Sequence, residues 1–321
     1  MADILATDRD LDALRSYLAV APERFAAHQD RYFDRLGELL VFHRVVGDRR
    51  DVHAGTFRQA VRHFQSAAGL AADGIPGEDT AWELNRGWAE SRRLPTVVVE
   101  MDQWTPPGVP HHDPDDHGYS SMRVRSDVAG AARGMRAELN EAGVLMTTAG
   151  ALRPLDAVVS SGRKPTSIHY CGAAFDLSTT SGMVRSARAD ARNQLYVITA
   201  SGDRWNVWAR SDRGVQRDLD AVEWHNGSTS VRPVSGRFLD VTAVAARHGF
   251  HPIGPRSEFP AKYGNAEWWH FQNHPVLVPW ISQFGPEILA LTTIDEADLQ
   301  ERPRLWAECR RLFQRGRNGW W

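Results

Sequence analysis

Cysteine is nearly absent: 321 residues hold two, Cys171 and Cys309. Two thiols cannot build a disulfide framework or a cysteine-rich zinc site, and each reads as a buried group behaving as a small hydrophobe. No apolar run approaches the roughly 20 residues that a membrane span requires. The net charge of −2 gives no basic surface for nucleic acid. The start, Met1-Ala2-Asp3-Ile4-Leu5-Ala6, lacks the basic and apolar regions of a secretory signal peptide. What remains is 42% hydrophobic and 24% charged residues, the composition of an ordinary globular chain. The length suggests two domains.

Tryptophan is abundant, with 12 residues. Trp205, Trp208, Trp224, Trp268 and Trp269 crowd one late segment, and Trp320-Trp321 end the chain. Aromatic faces bind sugars and peptides, and they also fill cores.

The first third reads as helical. Leu11, Leu14, Leu18, Phe25, Tyr32, Phe33 and Leu36 recur at helical spacing over residues 10–35, and Pro22 suits the first turn of a second helix. Residues 37–90 contain a weak internal repeat that pairs Phe42 with Phe64, Gly47 with Gly69, Asp51 with Asp73 and Gly55 with Gly77. Each half reads as a helix followed by a Gly/Asp turn. The helix between the turns carries Phe57, Val61 and Phe64 on one face. Asp73-Gly74-Ile75-Pro76-Gly77 supplies the left-handed positions of a tight loop. Thr80 is expected to cap or open the closing helix, which carries Trp82 and Leu84.

The string Phe64-Gln65, Gly69-Leu70, Asp73-Gly74-Ile75, Gly77 and Thr80 resembles the small three-helix peptidoglycan-binding domain of cell-wall hydrolases. The resemblance implies wall binding by residues 37–90, with residues 1–36 as a helical extension. The residues themselves require only a compact helical unit.

Residues 91–120 read as a linker, broken by Pro95, Pro106, Pro107, Pro110 and Pro114. The cluster His111-His112-Asp113-Pro114-Asp115-Asp116-His117 within it lacks the spacing of a rigid ligand set and is expected to be a solvated acidic loop. Residues 128–139 predict a helix and 143–148 a buried strand, an order that suits an α+β domain over 121–321. Leu195 to Thr199 and Trp205 to Ala209 alternate as strands within a β-rich insertion at about 185–235. Phe238 to Phe250 predicts a helix, and Leu299 to Leu312 an amphipathic one.

The chemistry concentrates in two strings. In Ser167-Ile168-His169-Tyr170-Cys171-Gly172-Ala173-Ala174-Phe175-Asp176, extended chain puts Ser167 and His169 on one face. Gly172 permits a turn, and Ala174 and Asp176 again share a face. An imidazole and a carboxylate can thus converge, a donor mixture zinc accepts with one further protein ligand. Glu267-Trp268-Trp269-His270 supplies it, provided the segment is a turn or short helix, where positions i and i+3 share a face. A carboxylate beside a metal site is the arrangement of general-base hydrolysis.

Together these strings resemble the LAS group of zinc peptidases, which includes D-alanyl-D-alanine carboxypeptidases and dipeptidases. The group's pattern is S-x-H-x-x-G-x-A-x-D followed by E-x-W-H, and every fixed position is matched. The resemblance implies an α+β domain with a central antiparallel sheet. It also implies zinc on His169, Asp176 and His270, Glu267 as base, and substrate contacts from Ser167 and Trp269. The group places an arginine shortly before the first ligand. Arg153 fits that position and Arg163 competes for it; the surrounding wording, Gly150-Ala151-Leu152-Arg153, departs from the usual form. Trp205, Trp208 and Trp224 of the insertion are candidate groove walls.

The resemblance implies hydrolysis of a peptidoglycan stem-peptide bond, with the D-Ala-D-Ala end favoured because members of the group with Glu at the position of Glu267 tend to act there. Cleavage of crosslinks or of L-Ala-D-Glu by an endolysin is the alternative, and a non-catalytic wall-binding protein is the alternative from another class. The expected partner is peptidoglycan, met by a monomer with no membrane span. Action outside the cytoplasm without a leader would require phage lysis, an injection machine or a leader already removed.

Overall fold

Two units divide the chain: residues Met1–Pro95, Leu155–Ser167 and Leu277–Trp321 form one, and Thr96–Pro154 with Ile168–Val276 form the other. The computed structural model describes residues 2–103, 120–157, 166–183 and 194–316. The His111–His117 cluster, Arg163 and Trp320-Trp321 lie outside the described residues.

The first unit opens with helices α1 (Ala2–Leu18), α2 (Pro22–Ala26), α3 (Gln29–Phe42), α4 (Phe57–Ala67) and α5 (Glu78–Arg92). Leu11, Leu14, Leu18, Phe25, Tyr32, Phe33, Leu36, Phe57, Val61 and Phe64 meet in one core, as their spacing demands. Pro22 stands at the first position of α2. Val278, Trp280, Ile281 and Leu312 complete the same core, and the Asn85 carboxamide donates to the Ile281 carbonyl at 2.9 Å. Helices before residue 37 and chain beyond residue 276 therefore share their apolar interior with residues 37–90.

The turn motif is a folding device centred on Gln65, which is 1% exposed. Its amide group donates to Asp73 Oδ1 at 2.9 Å, the Ile75 carbonyl at 3.0 Å and Thr80 Oγ1 at 3.0 Å. Its Oε1 accepts the Gly74 N–H at 2.8 Å. Gly74 sits at φ +77, and a Cβ there would meet the Arg58 carbonyl at 2.9 Å. Thr80 is thus not the cap: Gly77 is, and Thr80 lies inside α5, its buried hydroxyl taken up by Gln65. Gln65→Ala would strand several buried groups, each costing about 1–3 kcal/mol. Urea unfolding of the full chain should show a loss of roughly 3 kcal/mol, and an unchanged midpoint would contradict this role.

The second unit begins with β1 (Thr96–Glu100) and β2 (Ser121–Arg125), an antiparallel pair, followed by α6 (Ser126–Glu141). Then come β3 (Ala174–Asp176), β4 (Tyr196–Ser201), β5 (Arg204–His225), β6 (Ser228–Asp240), α7 (Val241–Arg247), β7 (Phe250–Pro252) and β8 (His270–Asn273). Two antiparallel three-stranded sheets result, ordered β3-β8-β7 and β4-β5-β6. A helical N-terminal region followed by antiparallel sheets with helices is the α+β arrangement the sequence implies. Back in the first unit, α8 (Phe284–Leu289), α9 (Glu296–Gln300) and α10 (Pro303–Trp306) are the last helices of the described chain.

Three local expectations are corrected. Residues 144–148 join no ladder. Side chains take up part of their backbone instead: Met146 N–H donates to Asp102 Oδ2 at 2.7 Å, and the Tyr196 hydroxyl donates to the Leu145 carbonyl at 2.8 Å, while the Met146 carbonyl accepts the Asp102 N–H at 3.0 Å. The helix expected from Phe238 starts at Val241, because Phe238–Asp240 finish β6 and the Asp240 carboxylate caps the Ala243 N–H at 2.9 Å. The helix expected over 299–312 is interrupted, because Pro303 cannot continue α9 and opens α10.

The insertion's alternation does produce strands. β4 and β5 form a hairpin closed by Gly202-Asp203, and β5 and β6 one closed by Asn226-Gly227. Asn226 and Gly227 both take positive φ, 45° and 84°, the geometry that makes Asn-Gly a strong hairpin signal. Both cysteines are free and buried, and burial pushes the Cys309 thiol up to about 12. Among the described residues no helix is long and apolar enough to cross a membrane.

Candidate metal centre

The sheet β3-β8-β7 explains why His169, Asp176 and His270 converge. Phe175 pairs with Phe271 across β3 and β8, and Asp176 pairs with His270. Alternation sends the two pairs to opposite faces. Phe175 and Phe271 stack at 5.7 Å, with Phe250 edge-on at 5.0 Å, so one face is core. The other face carries a carboxylate directly opposite an imidazole.

His169 arrives differently. Ile168–Cys171 form a 3-10 turn rather than extended chain, and all four residues are buried. The expected alternation of Ser167 and His169 therefore does not hold: a segment buried on every side has no polar face to alternate toward. Gly172 then reverses the chain at φ +63, where a Cβ would meet the Arg125 nitrogen at 2.8 Å. Only glycine satisfies both the angle and the approach, which accounts for its place in the motif.

Residues 149–153 run alongside and fix the geometry. The Asp176 N–H donates to the Gly150 carbonyl at 2.9 Å, and the Arg153 N–H to the His169 carbonyl at 3.1 Å. His169 Nδ1 lies 2.5 Å from the Ala151 carbonyl, so this nitrogen carries the proton and Nε2 presents its lone pair. A backbone carbonyl orienting a ligating imidazole is the usual support of a metal site.

His169 Nε2 lies 3.1 Å from His270 Nδ1 and 3.3 Å from Asp176 Oδ1, and His270 Nδ1 lies 3.0 Å from Asp176 Oδ1. Donors about 2.0–2.1 Å from a tetrahedral zinc stand about 3.3 Å apart. The three atoms already have the spacing of three corners of such a tetrahedron, and they form a group that could hold a metal ion. Burial raises the Asp176 carboxyl; the charge that a protonated His169 would carry, with hydrogen bonds from His169 and His270, would outweigh it and hold the group well below the usual carboxylate range. With both imidazoles neutral, as metal binding requires, the set offers two nitrogen lone pairs and one carboxylate, which suits a divalent cation.

Glu267 enters this unit from a turn. Its carbonyl accepts the His270 N–H at 3.1 Å, the i to i+3 closure expected of that string. Glu267 is 4% exposed and sits at φ 58, a left-handed conformation uncommon for a residue with a Cβ. Its Oε1 is held by the Arg256 guanidinium. Arg256 is the residue that sequence reasoning missed, and no motif marks it.

The other candidates are placed as follows. Arg153 is half-buried, its guanidinium 5.7 Å above the Tyr170 ring. Ser167 directly precedes the 3-10 turn and is half-buried. Trp269 is only 6% exposed and packs on Tyr263 and Trp268 at 5.2 and 5.5 Å. The insertion's indoles face inward: Trp205 donates to the Ala266 carbonyl at 2.6 Å, Trp208 to Thr199 Oγ1 at 2.9 Å and Trp224 to the Pro260 carbonyl at 2.7 Å.

Comparison with known proteins reaches the helical region. Residues 31–82 match the family model of the peptidoglycan binding domain. The N-terminal region therefore contains a peptidoglycan-binding domain, which makes peptidoglycan a partner and ties the chain to the cell wall. Neither a curated protein nor a solved structure matches the chain.

Proposed function

We propose that this chain is a zinc-dependent peptidase of peptidoglycan that cleaves a stem-peptide bond at the D-Ala-D-Ala end. The observation that carries the reading is the spacing of His169, Asp176 and His270 at near-tetrahedral separations, in a chain that also carries a peptidoglycan-binding domain. The two strings that resemble LAS zinc peptidases supply the same three residues.

Zinc bound there supplies Lewis acidity toward water and the scissile carbonyl. The chain's own residues do the rest. Glu267 takes the proton of the attacking water and delivers it to the leaving amine. Arg153 faces the developing negative charge on the carbonyl oxygen. His169 stays in the tautomer set by the Ala151 carbonyl, so its Nε2 remains a ligand. Ser167 contacts substrate, and Trp269 shapes the site from behind, since little of its ring reaches solvent.

The wall-binding domain favours a polymeric substrate over a free dipeptide. Mass spectrometry after incubation with a pentapeptide ending in D-Ala-D-Ala and with a crosslinked muropeptide tests the choice of bond. Release of free D-alanine is the expected result. Cleavage of the crosslink alone would replace carboxypeptidase by endopeptidase, and no cleavage of either would favour a purely wall-binding role.

A further inference from the structure

The conformation of Glu267 needs an explanation that the metal ligands do not provide. A left-handed residue with a Cβ is sterically strained, and it persists only where its surroundings over-determine it. Three contacts do so here. The peptide before Glu267 is held by the Trp205 indole N–H on the Ala266 carbonyl at 2.6 Å. The peptide after it is held by the turn to His270. The carboxylate is held by Arg256.

Arg256 is itself fixed. Its N–H donates to the Asn265 carbonyl at 2.8 Å, and its carbonyl accepts the Phe259 N–H at 3.0 Å. The loop between Arg256 and Glu267 is tied again in its middle. Trp224 donates to the Pro260 carbonyl, and its ring lies 5.1 Å from Tyr263. The Tyr263 hydroxyl donates to the Thr179 carbonyl and accepts the Trp268 indole N–H at 3.1 Å. Trp205 and Trp224 both stand on β5. The long hairpin thus grips the loop at two carbonyls.

An exposed ion pair contributes little, but this one is asymmetric: the Arg256 side chain is 44% exposed and that of Glu267 6%. Removing the guanidinium would take a positive charge away from a nearly buried carboxylate.

We propose that Arg256 and Trp205 are positioning residues that hold Glu267 in its reactive conformation, with the β5–β6 hairpin as the frame of this brace. The inference rests on the reading of Glu267 as the base. The test uses the full zinc-loaded chain and the D-Ala-D-Ala pentapeptide, with Arg256→Met, Arg256→Lys, Trp205→Phe, Trp208→Phe and Glu267→Gln. Trp208 donates to Thr199 within the sheet and serves as control.

Arg256→Met and Trp205→Phe are expected to lower kcat by about tenfold or more with KM within about twofold, the signature of a lost transition-state interaction. Zinc content should not change. Millimolar guanidinium should partly restore Arg256→Met, and Arg256→Lys should retain more activity than Arg256→Met. Amide hydrogen exchange over 257–268 should quicken in Trp205→Phe and stay unchanged in Trp208→Phe. Wild-type kcat in both positioning variants, or a raised KM with kcat intact, would overturn the inference. If Glu267→Gln is inactive while those variants are not, only the positioning role falls. If Glu267→Gln is active, or the wild type cleaves nothing, the base reading falls, and the exchange measurement still decides whether the hairpin braces the loop. Should Trp205→Phe fail to fold, the more exposed Arg256 carries the decision.

Discussion

Replacing Glu267 by Gln is expected to lower stem-peptide hydrolysis by about 10²- to 10⁴-fold, the contribution of a positioned general base. The substitution is nearly isosteric. Its side-chain oxygen can still accept from Arg256, and its backbone still closes the turn on His270. What it cannot do is take a proton. The loss should therefore fall on kcat, with KM and zinc content close to wild type. Steady-state kinetics beside metal analysis of the same samples checks this. A Gln variant with wild-type kcat would remove Glu267 from the chemistry.

Loss of the proposed metal ligands is expected to give the second large effect. His169→Ala with His270→Ala deletes two of three donors and leaves Asp176 alone, so the double variant should retain no zinc after dialysis. The same set predicts a stability response. A ligand that binds only the folded chain stabilises it by about 4 kcal/mol at a thousandfold excess over its dissociation constant. Zinc should raise the unfolding midpoint of the wild type and leave that of the double variant where it was. A midpoint that responds equally in both would place the metal elsewhere.

Elements with a one-sided environment were legible in the sequence. Phe57, Val61 and Phe64 show helical spacing because α4 buries one face. The alternation over 195–199 and 205–209 followed from a half-exposed sheet, while the Asn226-Gly227 turn, though stereochemically marked, was not read. The Glu267–His270 turn followed from the need for i and i+3 to meet. Legibility failed where burial was complete or where side chains did the work of backbone. Ile168–Cys171 are all buried, so their pattern could not separate a 3-10 turn from a strand. Residues 143–148 read as a strand because Val144, Leu145 and Met146 are apolar, yet Asp102 and Tyr196 occupy groups a neighbouring strand would use. Pro303 was visible within 299–312, and the apolar spacing around it hid the break.

The candidate site divides in the same way. His169, Asp176, His270 and Glu267 are spelled out in two short strings. Arg256 and the carbonyl of Ala151 are not, because an arginine in a loop and a main-chain oxygen carry no local signature. Trp205, Trp208 and Trp224 were visible as aromatics and were expected to line a groove. Their indole N–H groups turn inward to carbonyl and hydroxyl acceptors, and nothing in spacing alone distinguishes a ring that binds substrate from one that braces a loop.

The central claim meets its most direct test in purified peptidoglycan sacculi incubated with the chain after removal of metal by a chelator and again after one equivalent of zinc. Stem-peptide cleavage, followed as new amino groups and identified by mass spectrometry, should be absent without metal and restored by zinc in the wild type. It should stay absent in His169→Ala with His270→Ala. Sacculi that bind the chain but show no new amino groups at any zinc level would contradict the account.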